Sequence, residues 1–439
     1  MACYVILFLL VAIGVPSPAI GQTRLTLTEA IARARSNNLD VRAAAGAERE
    51  AGARVSEVRG SYLPKVDLVE SWQRSDQPVF VFSSLLAQRQ FTAANFAIDT
   101  LNHPQATNNF RTAVTLDQPI YSPSTAASLR TARLGHAIAG KQRVVLNQTL
   151  AVDVADAYGR VLVAMAAKQA AAAAVAAATA DREIAGNRRD AGRATDADVL
   201  QVDVYLARVR EQEIRADADE RIARATLNEL MGVSLDSNFE LDVAPPSSAA
   251  VAPADVASLE AQALADRPEL QIAALEEQMA SAARDSARAA FLPQVSAQAG
   301  WEFNGAQWDS RASGWLVGAV ARVNLFQGLA DRARLTEATE QGKRRALERE
   351  KAQRAVRLQI RTALARLDEA TARETAGRAT VAQARESQRI IRDRYESGLA
   401  DVVALLRAAE AVQEANARQT AAQVDVVLAR ATLDRALGK

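Results

Sequence analysis

The chain has 439 residues, room for a large buried core or for two to three ordinary domains, yet only 5% of them are aromatic while 49% are hydrophobic, much of that share alanine. Such small side chains favour helix and leave a thick globular core unfilled, so long, closely packed helices are the expected outcome. A net charge of +1 argues against a polyanion-binding surface, hence against a nucleic-acid partner, and the many charged residues read as solvated helix faces.

The first feature in chain order is the apolar run CYVILFLLVAIGV at 3–15, followed by PSPAIGQ. It has the length of a secretory signal and is too short to span a bilayer. Ala19 and Gly21 supply the small residues for cleavage before Gln22, so residues 1–21 are expected to be a signal peptide. No Lys or Arg precedes the run, a departure from the usual signal pattern. Cys3, the sole cysteine, lies inside this segment and precedes the run, so neither a lipid anchor nor disulfide or thiolate chemistry is expected. No other stretch approaches 18 consecutive apolar residues, and no transmembrane helix is expected.

The rest of the chain is written twice. ARATLNELMG at 223–232 returns as ARATLDRALG at 429–438, 206 residues later, and the same offset carries Gly192 onto Gly398. SYLP at 61–64 matches AFLP at 290–293, and DQPIY at 117–121 matches VNLF at 323–326. These pairs lie 229 and 205 residues apart, so the first copy holds about 24 extra residues within 78–110. The spacing predicts a first repeat over 22–232, a Pro/Ala/Ser-rich linker over 233–253 and a second repeat over 254–439. In each, a helix (27–60, then 254–290) leads to a Leu-Pro strand start at Pro64 or Pro293. Two strands follow, then a very long helix (124–190, then 329–395), a glycine turn and a last helix (197–231, then 401–437). The long helices would reach about 100 Å. The last helix of the first copy is expected to stack end to end on the first helix of the second, and the chain's final helix on its first. Gly398, in YESGLADVV, and Gly192, in RRDAGRATDADVL, are expected to cap the long helices and reverse the chain.

The strands carry the sharper information. In 294–303, Val295, Ala297, Ala299, Trp301 and Phe303 alternate with polar residues and glycine; in 313–326, Trp315, Val317, Ala319 and Ala321 share one face. Phe110, Thr112, Val114 and Leu116 repeat the pattern more weakly. Ten-residue segments with one apolar face and aromatics near their ends have the form of transmembrane β-barrel strands. Four such strands cannot close a barrel, and open edges do not survive in lipid. Two chains would give a barrel too narrow for an open channel, whereas three give twelve strands and a lumen. The fold class expected is therefore mainly α with a small β part, a long antiparallel helical-barrel domain plus four transmembrane strands per chain.

With these features assembled, the chain resembles the TolC-like outer-membrane efflux proteins, from LTLTEAIARARSNNLDV through both Leu-Pro strand starts to ARATLDRALG. The resemblance implies a homotrimer in outer-membrane lipid with a periplasmic helical barrel. It further implies a periplasmic adaptor and an inner-membrane pump as partners, and export of drugs, metals or polypeptides. It places the glycine turns at periplasmic tips. There Asp198 matches an aspartate of the family's gate and Tyr395 the tyrosine that it hydrogen-bonds in the closed state, a latch worth about 1–3 kcal/mol. Asp198 also fits an ordinary helix start. The paired acids that ring the aperture in the best-known member fall here on Ala404 and Arg407, and the arginine of its second tether on Ala400. Asp401, with Arg407, is what remains of a possible aperture.

An enzyme is not expected. His103 and His136 stand apart without metal-ligand spacing, and no phosphate-binding glycine loop or nucleophile–base pair is visible; no cofactor or metal is implied. The competing class is an exported coiled-coil structural protein or a periplasmic adaptor, which the alanine-rich helices also fit. Two helical hairpins and two strand pairs argue against it.

Overall fold

A computed structural model describes residues 24–242 and 255–439. The expected signal peptide and the core of the expected linker, 243–254, lie outside the described residues. The elements run β1 (Arg24–Leu25), α1 (Leu27–Asn37), α2 (Leu39–Gly60), β2 (Lys65–Ser75), α3 (Pro78–Ala87), α4 (Ile98–Asn102), β3 (Thr107–Tyr121), α5 (Pro123–Asp190) and α6 (Asp196–Leu230). After them come β4 (Glu240–Leu241), α7 (Val256–Asp266), α8 (Pro268–Ala289), β5 (Gln294–Gly305), β6 (Ala312–Arg322), α9 (Ala330–Glu396) and α10 (Val402–Ala436). The order helix–helix–strand–strand–long helix–helix thus occurs twice. The packing does not follow it: each of the two compact units draws on both halves of the chain.

One unit holds, of the described residues, 24–39, 149–242 and 363–433. Its core is built from small and β-branched residues, with Val154, Val161, Ala178, Val202 and Leu405 almost fully buried. β1 and β4 pair in parallel over two residues, β4 lying in the stretch that the sequence presented as linker. Tyr158 holds the pair: its hydroxyl is shared between the carbonyls of Leu25 at 2.8 Å and Asp242 at 3.0 Å. Burial pushes the Tyr158 phenol up to about 12.

The other unit, of the described residues 40–148, 255–362 and 434–439, carries one antiparallel sheet in the order β2-β3-β5-β6. The register sets the apolar residues of all four strands in rows, Leu68–Val114–Trp301–Trp315 and Val66–Leu116–Ala299–Val317. The next rows, one residue along and so on the opposite face, read Asp67–Thr115–Gly300–Leu316 and Lys65–Asp117–Gln298–Gly318. Leu68, Trp301, Trp315 and Val317 are more than half exposed. A soluble hairpin packed on helices would bury such a row; this one is bare. Pro64 and Pro293 stand directly before β2 and β5, where a residue without an N–H costs no ladder bond.

Two expectations need correction. The first helix of each repeat is not continuous but broken, at Asn38 and at Arg267, both extended residues (φ/ψ −57/133 and −65/125). At Arg267 the cause is local, since Pro268 forces the preceding residue out of the helical region. At Asn38 no proline acts, and the tertiary contact decides: its side-chain amide donates to the Leu230 carbonyl, 3.1 Å away. The stacking also differs. Gly232, at the end of α6, lies against Asn37 in its own repeat, and Gly438, at the end of α10, lies against Arg267 in its own repeat. α5 also holds one apolar stretch that passes a length-and-composition test for a membrane span, with 17% of it buried within the chain; that test alone does not place a helix in the membrane. The sequence criterion of unbroken apolar residues passes it over because its alanine run is interrupted by Lys168, which pairs with Asp217 at 2.7 Å and Glu220 at 3.0 Å.

Candidate functional site

The two glycine turns lie together in the first unit. α5 (68 residues) and α9 (67 residues) each end in the same hydrogen-bond pattern. The Gly192 amide donates to the Arg189 carbonyl and Arg193 to Arg188, both at 2.8 Å; Gly398 donates to Tyr395 at 2.9 Å and Leu399 to Arg394 at 2.7 Å. These are Schellman caps, which need a left-handed residue, and the two glycines supply it at φ +70 and +78. Both glycines thus end a long helix and reverse the chain into the next one.

The helices that leave the turns are capped differently. Thr195 caps α6 in a reciprocal box: its Oγ1 accepts from the Asp198 amide at 3.2 Å, and Asp198 Oδ2 accepts from the Thr195 amide at 2.8 Å and hydroxyl at 2.9 Å. These bonds hold the Asp198 carboxyl below the usual aspartate range. In the second copy Asp401 takes the place of Thr195, and its Oδ1 accepts from the Ala404 amide at 2.7 Å. Arg407 is exposed on α10. Asp401 is thus occupied as a helix cap, and the sequence's bland reading of Asp198 as a helix-start residue describes its contacts in this structure.

Tyr395 is 4% exposed, packed with Ala185, Val199, Val202, Val402 and Leu405. Burial raises its phenol above the ordinary value. No hydrogen bond joins it to Asp198, whose Oδ1 has no hydrogen-bond partner among the described residues. Its partner is Arg188, a residue the sequence reading did not select. The guanidinium lies over the ring with its carbon 4.5 Å from the centroid, and Nη1 donates to the Tyr395 carbonyl. Arg188 therefore ties the first turn to the second and satisfies an acceptor at the end of α9. A signal was present, since Arg188 lies four residues before Gly192 as Arg394 does before Gly398, but basic residues near a helix end are too common to single one out.

A second tie lies further along the same helices. Asp181 is 3% exposed and meets Arg392 Nη2 at 3.4 Å. Burial pushes its carboxyl up, against the lowering pull of Arg392. Arg182 reaches Asp203 at 3.1 Å, and Arg208 pairs with Glu410. The tip is thus held by a small buried cluster and a belt of ion pairs between helices of both repeats.

Comparison with known proteins gives the context. The sequence profile described as outer membrane efflux protein matches residues 30–233 and 259–439. No curated protein matches the chain. Among solved structures, a membrane protein from Pseudomonas aeruginosa superposes with a TM-score of 0.80 at 19% identity, covering 94% of this chain and 93% of that one. The CmeC outer membrane channel of Campylobacter jejuni gives 0.78 at 16% identity, covering 94% and 85%, and the open-state MtrE channel of Neisseria gonorrhoeae 0.76 at 18%, covering 94% and 88%. At such identities the superpositions establish the fold, mainly helical with a small sheet, while the profile spans most of the sequence. The chain belongs to the outer membrane efflux protein family, and its place is the outer membrane, with the helical part in the periplasm.

Proposed function

We propose that the chain is the exit duct of a tripartite efflux or secretion system, three copies closing one twelve-stranded barrel and joining their helices into a periplasmic helical barrel. The observation that carries this is the four-stranded sheet: one face bears a bare apolar row, the other the polar residues Asp67, Thr115, Asp117 and Gln298 among apolar ones, and β2 and β6 are each paired on one side only among the described residues. An unpaired edge beside a lipid-facing row is not tolerated in a bilayer, so β6 of one copy pairs with β2 of the next. The weak burial of the apolar stretch of α5 fits the same assembly, with neighbouring copies supplying the missing contacts.

In this reading the tips are the periplasmic gate. The cluster around Tyr395 keeps both hairpins of a chain together, and Asp198 Oδ1 is the acceptor available to the Tyr395 hydroxyl when the tips are drawn in. A bond worth about 1–3 kcal/mol suits a latch that an adaptor, docked with an inner-membrane pump, must overcome. With Ala404 and Arg407 where acids would stand, the aperture lacks the acidic ring. Reconstitution tests the reading: Asp198→Ala and Tyr395→Phe are expected to raise single-channel current in planar bilayers. Unchanged currents from both variants remove the latch, and recovery of the wild type as a soluble periplasmic monomer removes the duct.

A further inference from the structure

The segment between β2 and β3, residues 76–106, is far longer than its counterpart between β5 and β6, residues 306–311. Instead of standing free, it folds onto the sheet. α3 turns Val81, Ser84 and Gln88 inward, all buried, at the spacing of one helix face. Gln88 Nε2 donates to the Asn108 carbonyl at 2.8 Å and to Asn109 Oδ1 at 3.0 Å, and Asn109 Nδ2 donates to Asn304 Oδ1 at 3.0 Å. Arg89 adds a bond to the Ser313 carbonyl at 3.0 Å, so the segment is pinned to β3 and β6, and through Asn109 to β5.

The face to which it is pinned decides its role. Asn109 lies two and four residues before Arg111 and Ala113, and Asn304 two after Glu302, on the side of Thr115, Asp117, Gly300 and Gln298. That is the polar face, opposite the bare row of Val114, Trp301 and Trp315. Ala113, on the polar face, is only 3% exposed. The segment joins the strand ends remote from α2 and α5, which in an outer-membrane duct are the outer ends.

We propose that residues 76–106 form an inward-folded constriction at the outer mouth, in which α3 of each copy meets α3 of the other two; this rests on the trimeric-barrel reading above. Size supports it. Twelve strands about 4.8 Å apart and tilted by ~40° make a barrel roughly 24 Å across. A helix with its side chains takes about 10 Å of that width. Three helices held against the inside of the wall therefore occupy most of the bore. Val79 and Leu86, on the side of α3 away from the sheet, are 83% and 50% exposed in the single chain and are what the neighbouring copies cover.

The test is access from outside, which does not depend on the state of the periplasmic tips. Thr115→Cys sits on the polar face, six residues inward from Asn109. In intact cells it is treated with a small hydrophilic maleimide and with a polyethylene-glycol maleimide of several kilodaltons. The small reagent is expected to label it and the large one to be excluded. Adding Gln88→Ala, or replacing 78–98 by a short turn, is expected to raise labelling by the large reagent several-fold. Equal labelling by the large reagent with and without α3 overturns the constriction. No labelling by the small reagent, in protein recovered from the membrane, instead overturns the barrel reading on which it rests.

Discussion

At the scale of the residue, the four helix-ending glycines are not equivalent. Gly192, Gly232, Gly398 and Gly438 all have positive φ, but a Cβ at Gly192 would meet open space, whereas at Gly232 it would lie 2.7 Å from the Asn37 carbonyl oxygen. Gly192→Ala therefore carries only the left-handed penalty of about 1–2 kcal/mol, whereas Gly232→Ala adds a backbone clash. Thermal unfolding followed by circular dichroism is expected to show the larger drop in Tm for Gly232→Ala; an equal drop would mean that the junction at Asn37 yields freely. Asp198 provides a pH test. Its pKa is lowered in the fold, so its contribution is present above the unfolded value of about 3.9 and is lost as pH falls below it through the folded value. The Tm gap between wild type and Asp198→Asn is expected at neutral pH and to narrow under acid conditions.

At the scale of the element, the tip is a contact between hairpins. Arg392→Met leaves Asp181 buried without its partner, a change that typically costs about 3–5 kcal/mol, whereas the double variant Asp181→Leu/Arg392→Met removes both charges and is expected to regain most of the loss. Urea unfolding of the four members of that cycle measures it. The sheet offers a second contrast. Val317→Arg puts a charge on the bare apolar row, worth about 2–4 kcal/mol at mid-membrane, while Gln298→Arg puts it on the polar face. Heat-modifiable mobility on gels is expected to report impaired assembly for the first and native behaviour for the second.

Much of this was legible in the sequence because it is periodic or repeated. The glycine turns followed from one offset, and the strand faces from alternation that the ladder then matched row by row. What escaped depends on contacts between distant segments. Nothing local in NNLDV marks Asn38 as a helix break, since its cause is the end of α6; in the second copy Pro268 does mark it. Arg188 could not be told from its basic neighbours until Tyr395 lay beneath it. The extra residues within 78–110 have no counterpart in the second copy to guide a reading, and only Gln88, Asn109 and Asn304 brought together show which face of the sheet they cover.

At the scale of the whole molecule, the proposed duct requires more than one copy, because four strands cannot close a barrel. The same incompleteness appears in the bare row on the sheet, the unpaired edges of β2 and β6 and the poorly buried alanine stretch of α5. All three are features that an assembly of equal copies resolves together, and only a copy number giving an open lumen makes a duct. Native mass spectrometry of the protein extracted from outer membranes in mild detergent counts the copies directly. The account predicts three chains per particle; a folded, stable particle of one or two chains would contradict it.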